Sequence, residues 1–142
     1  MSRIFACIIA LSIALVPVAT ADAPDLETRS DCTPTDMRIY FKSGETVLSA
    51  FSRNVIAQRS AALAGCKIAR LDLIADAEDG RSADEAASLS EARIATVIST
   101  LQDYGLGSDT IDARQTDFER DVPGMMARRV DIRLAAYRDE LS

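Results

Sequence analysis

Between Leu71 and Leu101 the spacing of the apolar residues changes once. Leu71, Leu73 and Ala75 alternate around Asp72, the period-2 pattern of a strand, whereas Ile94, Val97, Ile98 and Leu101 recur at helical spacing. A strand therefore feeds a helix. The acidic corner between them, Asp76 to Asp79, falls at the strand's carboxyl end, where open α/β sheets place ligands. This unit restricts the chain to folds that mix sheet and helix, and it locates the search for function.

The chain has 142 residues, room for one domain. Arg3 precedes an apolar run from Ile4 to Val18, and Ala19-Thr20-Ala21 then fits the small-x-small rule of signal peptidase. We expect residues 1–21 to be a cleaved secretory signal delivering the protein to the periplasm. A spanning anchor needs roughly 20 apolar residues, and this run is shorter and interrupted by Pro17. A lipidated Cys7 is the alternative, but it precedes any accumulated apolar segment. Cleavage removes one base and no acid, so the 16 Lys and Arg fall to 15 against 22 acids, a net charge of −7. Nucleic acid needs a basic footprint and is not an expected partner. Anionic membrane surfaces are disfavoured for the same reason, and no membrane insertion is expected after cleavage.

Cleavage also leaves two cysteines, Cys32 and Cys66, in an oxidising compartment. One precedes the first predicted strand and the other the second. A disulfide between them would tie two neighbouring strand entrances together, and two free buried thiols are the alternative. The chain contains no histidine. That removes the commonest general base, the usual zinc ligand and the Ser-His triad. No cofactor or metal is expected, and no enzyme.

Residues 22–36 carry prolines, threonines and scattered charge without a period, an extended lead-in. Met37 to Phe41 reads as a first strand, left by a turn at Lys42-Ser43-Gly44-Glu45. Ser49 caps a helix whose apolar stripe is Phe51, Val55, Ile56, Ala62 and Leu63, with Gly65 as its stop. Ile68 to Ala75 is the second strand. Ser82-Ala-Asp-Glu85 is a capping box that starts a second helix, with Ala86, Leu89, Ile94, Val97, Ile98 and Leu101 as its stripe and Gly105 as its close. Thr110 to Thr116 is a weak third strand. Arg128 to Ala135 alternates Val130, Ile132 and Leu134 against Arg129, Asp131 and Arg133, a strand with one wet face. Between these two strands, Pro123-Gly124 turns the chain back, and a polar tail closes it at 137–142. The order β-α-β-α-β-β, with a short last connection, predicts an α+β two-layer sandwich at 37–136.

On these residues the chain resembles the OmpA-like carboxyl-terminal domain, a family that holds peptidoglycan without a covalent bond. Ile39-Tyr40-Phe41 followed by Leu48-Ser49 is similar to its first strand and helix entry. Leu89-Ser90-Glu91-Ala92-Arg93 is similar to its Leu-Ser-x-x-Arg helix motif, and Arg128-Arg129-Val130-Asp131-Ile132 to its Asn-Arg-Arg-Val final strand. The likeness runs from about Arg38 to Leu134. It implies a mixed four-stranded sheet in order 1-4-2-3, with strand 4 antiparallel and two helices on one face. It also implies a site. The family's second strand ends Gly-His-Thr-Asp, with the aspartate fifteen residues before the helix arginine, and counting back from Arg93 lands on Glu78. Stem peptides can carry meso-diaminopimelate, whose side chain ends in an ammonium and a carboxylate on one carbon. A fixed carboxylate can take the ammonium and a guanidinium the carboxylate, through two parallel hydrogen bonds. Amides at the second helix's start can add donors. Such a site binds and does not catalyse.

The sequence departs from that pattern at several points. Glu78 stands for the aspartate, Ala86 and Ala127 for two asparagines, Gly80 comes one residue early, and the last loop is shorter. Asp76 and Asp79 are therefore alternative ammonium acceptors, and an ordinary salt bridge to the corner is the alternative role for Arg93. From Ser82, Arg93 lies roughly 16 Å along a helix axis at about 1.5 Å per residue, so the corner must fold back for any acid to share a ligand with it. Calcium at Asp76, Glu78 and Asp79 lacks the twelve-residue loop grammar, and glycoside hydrolysis by paired carboxylates finds no supporting motif. Arg128 and Arg129 point to opposite faces. Two functions follow: a periplasmic domain binding peptidoglycan stem peptides through Arg93 and a corner acid, or the same fold with that site lost, kept as a module for an envelope protein partner of basic character.

Overall fold

A computed structural model describes residues 32–117 and 124–139. The expected signal, most of the lead-in, part of the last loop and the final tail residues lie outside them. The elements are β1 (Thr35–Tyr40), α1 (Ala50–Ala62), β2 (Lys67–Ala77), α2 (Ala83–Asp103), β3 (Ile111–Gln115) and β4 (Arg128–Tyr137), with a 3-10 turn at Gly124–Ala127 leading into β4. Strand order is β1-β4-β2-β3; β2 and β3 run parallel, and β4 is antiparallel to β1 and β2. The α+β architecture is as the element order predicts, and the 1-4-2-3 sheet is as the family resemblance implies.

Alternation on the strands sends Met37, Ile39, Leu71, Leu73, Ala75, Val130, Ile132 and Leu134 to one face, where they form a single core with Leu48 and Ile56 of the α1 segment and Val97 and Leu101 of α2. Both helices therefore cover the same face. The opposite face is open and carries charged side chains. No described helix is long and apolar enough to cross a membrane.

Several boundaries shift. β1 begins at Thr35 and ends at Tyr40, and β4 continues to Tyr137. β2 runs on through Asp76 and Ala77, because both pair with β4 opposite Arg129 and Arg128. Phe51 is not part of the buried stripe of α1: it is 75 % exposed. The helix instead turns Ser52 inward beside Ile56, and the Ser52 hydroxyl donates to the Tyr40 carbonyl at 3.3 Å. Ser49 caps as expected, its hydroxyl accepting from the Ser52 amide at 3.0 Å.

Cys32 and Cys66 form a disulfide, with 5.6 Å between their α-carbons and 34 residues of sequence separation. It joins the entrances of β1 and β2, at the end of the sheet away from the acidic corner. On the chain-entropy model a loop of that length contributes about 4 kcal/mol.

Candidate functional site

The corner between β2 and α2 folds back along the helix. Ser82 caps α2, its hydroxyl accepting from the Glu85 amide at 3.2 Å, and the Glu85 carboxylate reaches back to the Arg81 amide at 2.8 Å. In the expected capping box that return bond goes to the capping residue itself; here it lands one residue earlier and fastens the corner as well. Gly80 lies directly against the first turn of the helix, where an added β-carbon would sit 2.6 Å from the Ala86 nitrogen. Only glycine permits that approach. Helical side chains also lean toward the amino terminus, so Arg93 climbs toward the corner while the corner descends to it.

They meet at Asp79. The Arg93 Nη1 and Nη2 groups donate to the two carboxylate oxygens, each at 2.8 Å. Nε donates to the Glu45 carbonyl at 3.0 Å, and Nη2 also to the Lys42 carbonyl at 3.4 Å. The guanidinium lies over the Phe41 ring, 5.1 Å from its centroid, a cation–π contact strengthened by burial. Arg93 is 0 % exposed. These contacts use all but one of the five N–H donors a guanidinium carries. Asp79 in turn accepts the Gly44 amide at 2.8 Å. Burial alone would raise the Asp79 carboxyl, but the Arg93 hydrogen bonds, the Gly44 amide and the Arg93 charge together hold it below the ordinary carboxylate range.

The other corner acids face elsewhere. Asp76 is buried on the open side of β2, one oxygen 3.5 Å from Arg129 Nη1. Burial pushes its carboxyl up, opposed chiefly by Arg129. Arg129 also donates from Nε to Asp131 at 2.8 Å. Glu78 borders a small cavity of about 190 Å³ between the start of α2 and the ends of β2 and β3, with Ala86, Ser90 and Thr116 on its walls. Asp76 Oδ1, Glu78 Oε2 and Arg128 Nε are buried without a hydrogen-bond partner. All three belong to the same few residues around the Ala77 and Arg128 pairing of β2 with β4. Among the described residues, no three His, Cys, Asp or Glu side chains converge as a metal ion requires.

Of the acids considered for Arg93, the structure thus brings Asp79 to the guanidinium, while Asp76 lies on the open face of the sheet by Arg129 and Glu78 borders the cavity toward β3. The main-chain groups of Lys42, Gly44 and Glu45 carry no signal in a sequence, where the loop reads only as a turn. Phe41 reads only as a strand residue.

No protein-family model and no curated protein matches the chain by sequence. Its fold is similar to the peptidoglycan-associated lipoprotein from Burkholderia pseudomallei, with a TM-score of 0.54 and 15% identity over 70% of this chain and 89% of that one. It is also similar to the OmpA-like domain of FopA1 from Francisella tularensis, with a TM-score of 0.52 and 18% identity over 74% and 77%. A MotB-like protein from Desulfovibrio vulgaris aligns with a TM-score of 0.51 and 16% identity over 77% of each chain.

Proposed function

We propose that this chain, whose fold is that of an OmpA-like domain, is exported by a signal at residues 1–21 and holds peptidoglycan in the cell envelope. The group gripped is the diaminopimelate zwitterion of the stem peptide. The single observation carrying this reading is the fork-on-fork pairing of Arg93 with Asp79 at the end of the sheet; Glu78, the residue before Asp79 in the chain, has a buried oxygen without a hydrogen-bond partner. A zwitterion enters such a pair without stranding a buried charge. Its carboxylate takes the place of Asp79 on the guanidinium, its ammonium takes the released Asp79 carboxylate, and Glu78 Oε2 supplies a further acceptor. Breaking the pair any other way leaves an uncompensated buried charge, which costs several kcal/mol. The Lys42–Glu45 loop moves aside in the process. Support for the substrate comes from the fold, shared with a peptidoglycan-associated lipoprotein.

The test is co-sedimentation with insoluble peptidoglycan. Wild type is retained and is released by free meso-diaminopimelate. Glu78→Gln, which removes no hydrogen bond of Glu78 Oε2, weakens retention about tenfold, equivalent to ~1.4 kcal/mol. Arg93→Ala serves poorly here because the pair also supports the fold.

One observation favours a second reading. Arg93 is fully buried and nearly saturated, as in a purely structural ion pair. On that reading the same fold is a protein-protein module whose acidic surface meets a basic partner, and insoluble peptidoglycan retains neither wild type nor variant.

A further inference from the structure

β3 is the outer strand of the sheet beyond β2, and all five of its residues are exposed. Its register with β2 pairs Leu71 with Ile111 through Ala75 with Gln115. The Thr110 carbonyl accepts from the Leu71 amide at 2.9 Å, and the Thr116 amide donates to the Ala75 carbonyl at 3.0 Å. In a parallel ladder alternate residues turn both backbone groups toward the neighbour. That places Thr110, Asp112, Arg114 and Thr116 on the β2 side, and leaves the N–H and C=O of Ile111, Ala113 and Gln115 pointing off the edge. Such a row is a template for another strand, and natural edges are commonly blunted by proline, bulges or charges that repel their own copies. β3 contains no proline, and its pairing with β2 shows no register shift. Its charges are Asp112 and Arg114, of opposite sign and one residue to either side of Ala113.

We propose that β3 docks against β3 of a second copy of this chain, antiparallel, with the twofold axis at Ala113. In that register residues equally far from Ala113 face each other. Ala113 pairs with its own copy and Ile111 with Gln115 of the second copy, using the backbone groups left free by β2. Asp112 then faces Arg114 of the second copy, and Arg114 faces Asp112, so the charges that should repel a copy in a guarded edge attract it here. Arg114 is the arginine of the open face for which this matters. Arg38, Arg70, Arg129 and Arg133 each reach an aspartate within the chain, whereas Arg114 forms no ion pair among the described residues. Asp112 keeps its bond from Arg70 at 2.9 Å, so the junction extends an existing charge row. The contact is smaller than the roughly 800 Å² per partner of a standard interface, so association is weak and concentration-dependent. It is independent of whether the domain binds peptidoglycan.

Sedimentation equilibrium of the purified protein over rising concentration tests this, together with amide hydrogen exchange. Wild type self-associates, added salt weakens the association, and the amides of Ile111, Ala113 and Gln115 gain protection as concentration rises. Arg114→Asp sets like charges across the junction and weakens self-association about tenfold or more, ~1.4 kcal/mol. The double swap Asp112→Arg with Arg114→Asp restores it. Circular dichroism establishes that each variant is folded, and Ala113→Pro, which removes an edge-facing donor, abolishes the dimer independently. A wild type that stays monomeric at every concentration overturns the proposal. So does a dimer indifferent to Arg114→Asp, or a double swap that fails to restore the dimer lost in the single variant.

Discussion

The Arg93 guanidinium and the Asp79 carboxylate meet through two parallel 2.8 Å hydrogen bonds inside the protein, and this one pair fastens three segments together. Asp79 belongs to the β2–α2 corner and Arg93 to α2. The loop after β1 is held by both, through the Lys42 and Glu45 carbonyls and the Gly44 amide. Removing one partner leaves the other charge buried and alone. Arg93→Ala should therefore lose about 3 to 5 kcal/mol of unfolding free energy, well beyond an ordinary surface change. Urea denaturation checks this.

The pair also sets an acid limit. Because the Asp79 carboxyl is held low in the folded protein, its contribution is fully present above the unfolded value near 4 and is lost as pH falls through the folded value. Asp76 runs the other way. Its carboxyl is raised, mainly by burial, so its charged form costs stability at neutral pH, and the penalty disappears as pH falls through the raised value toward the unfolded one. Stability measured against pH should show Asp79→Asn well below wild type at neutral pH and converging on it in acid. Asp76→Asn should match or exceed wild type at pH 7 and lose that advantage in acid.

Gly80 makes the close approach of corner and helix possible. Alanine there drives a β-carbon into the Ala86 main chain, which has no flexible end to yield. Gly80→Ala should cost about 1 to 3 kcal/mol, the range of an overpacked site, and should move the Arg93 and Gly44 resonances even though neither residue is changed. A melting temperature and a two-dimensional NMR spectrum give both readouts.

At the opposite end of the sheet, reducing the Cys32–Cys66 disulfide should lower stability by about 3 to 4 kcal/mol while leaving the Arg93–Asp79 end unaltered in its spectrum. Cys32→Ser with Cys66→Ser should reproduce the loss without reductant.

Much of the fold is legible because β1, β2 and β4 alternate over a shared core and the two helices carry their own caps at Ser49 and Ser82. β3 is the faintest strand to read, since all its residues are exposed and no apolar face marks it. The site is harder. The most buried line of α2 runs Ala86, Ser90, Arg93, Val97, Leu101, so a search for apolar stripes passes over the two polar residues in its middle. Counting fifteen residues back from Arg93 selects Glu78, but reach is set by Gly80, which lets the chain fold against the helix and delivers Asp79 instead. The backbone partners of both residues are invisible to composition and spacing alike. What remained readable was the chemical type of the pair, a guanidinium on the helix and a carboxylate at the corner.

The most direct measurement is a titration of nitrogen-labelled protein with meso-diaminopimelate, following the Arg93 Nε and the Gly44 amide, the two groups that report on the guanidinium and on Asp79. Binding of the zwitterion between Arg93 and Asp79 predicts saturable shifts at both, absent with lysine blocked at its α-amino and α-carboxyl groups, in which no carbon carries an ammonium and a carboxylate together. Resonances that stay fixed at every concentration of diaminopimelate, in a protein whose spectrum is that of the folded state, would contradict the account.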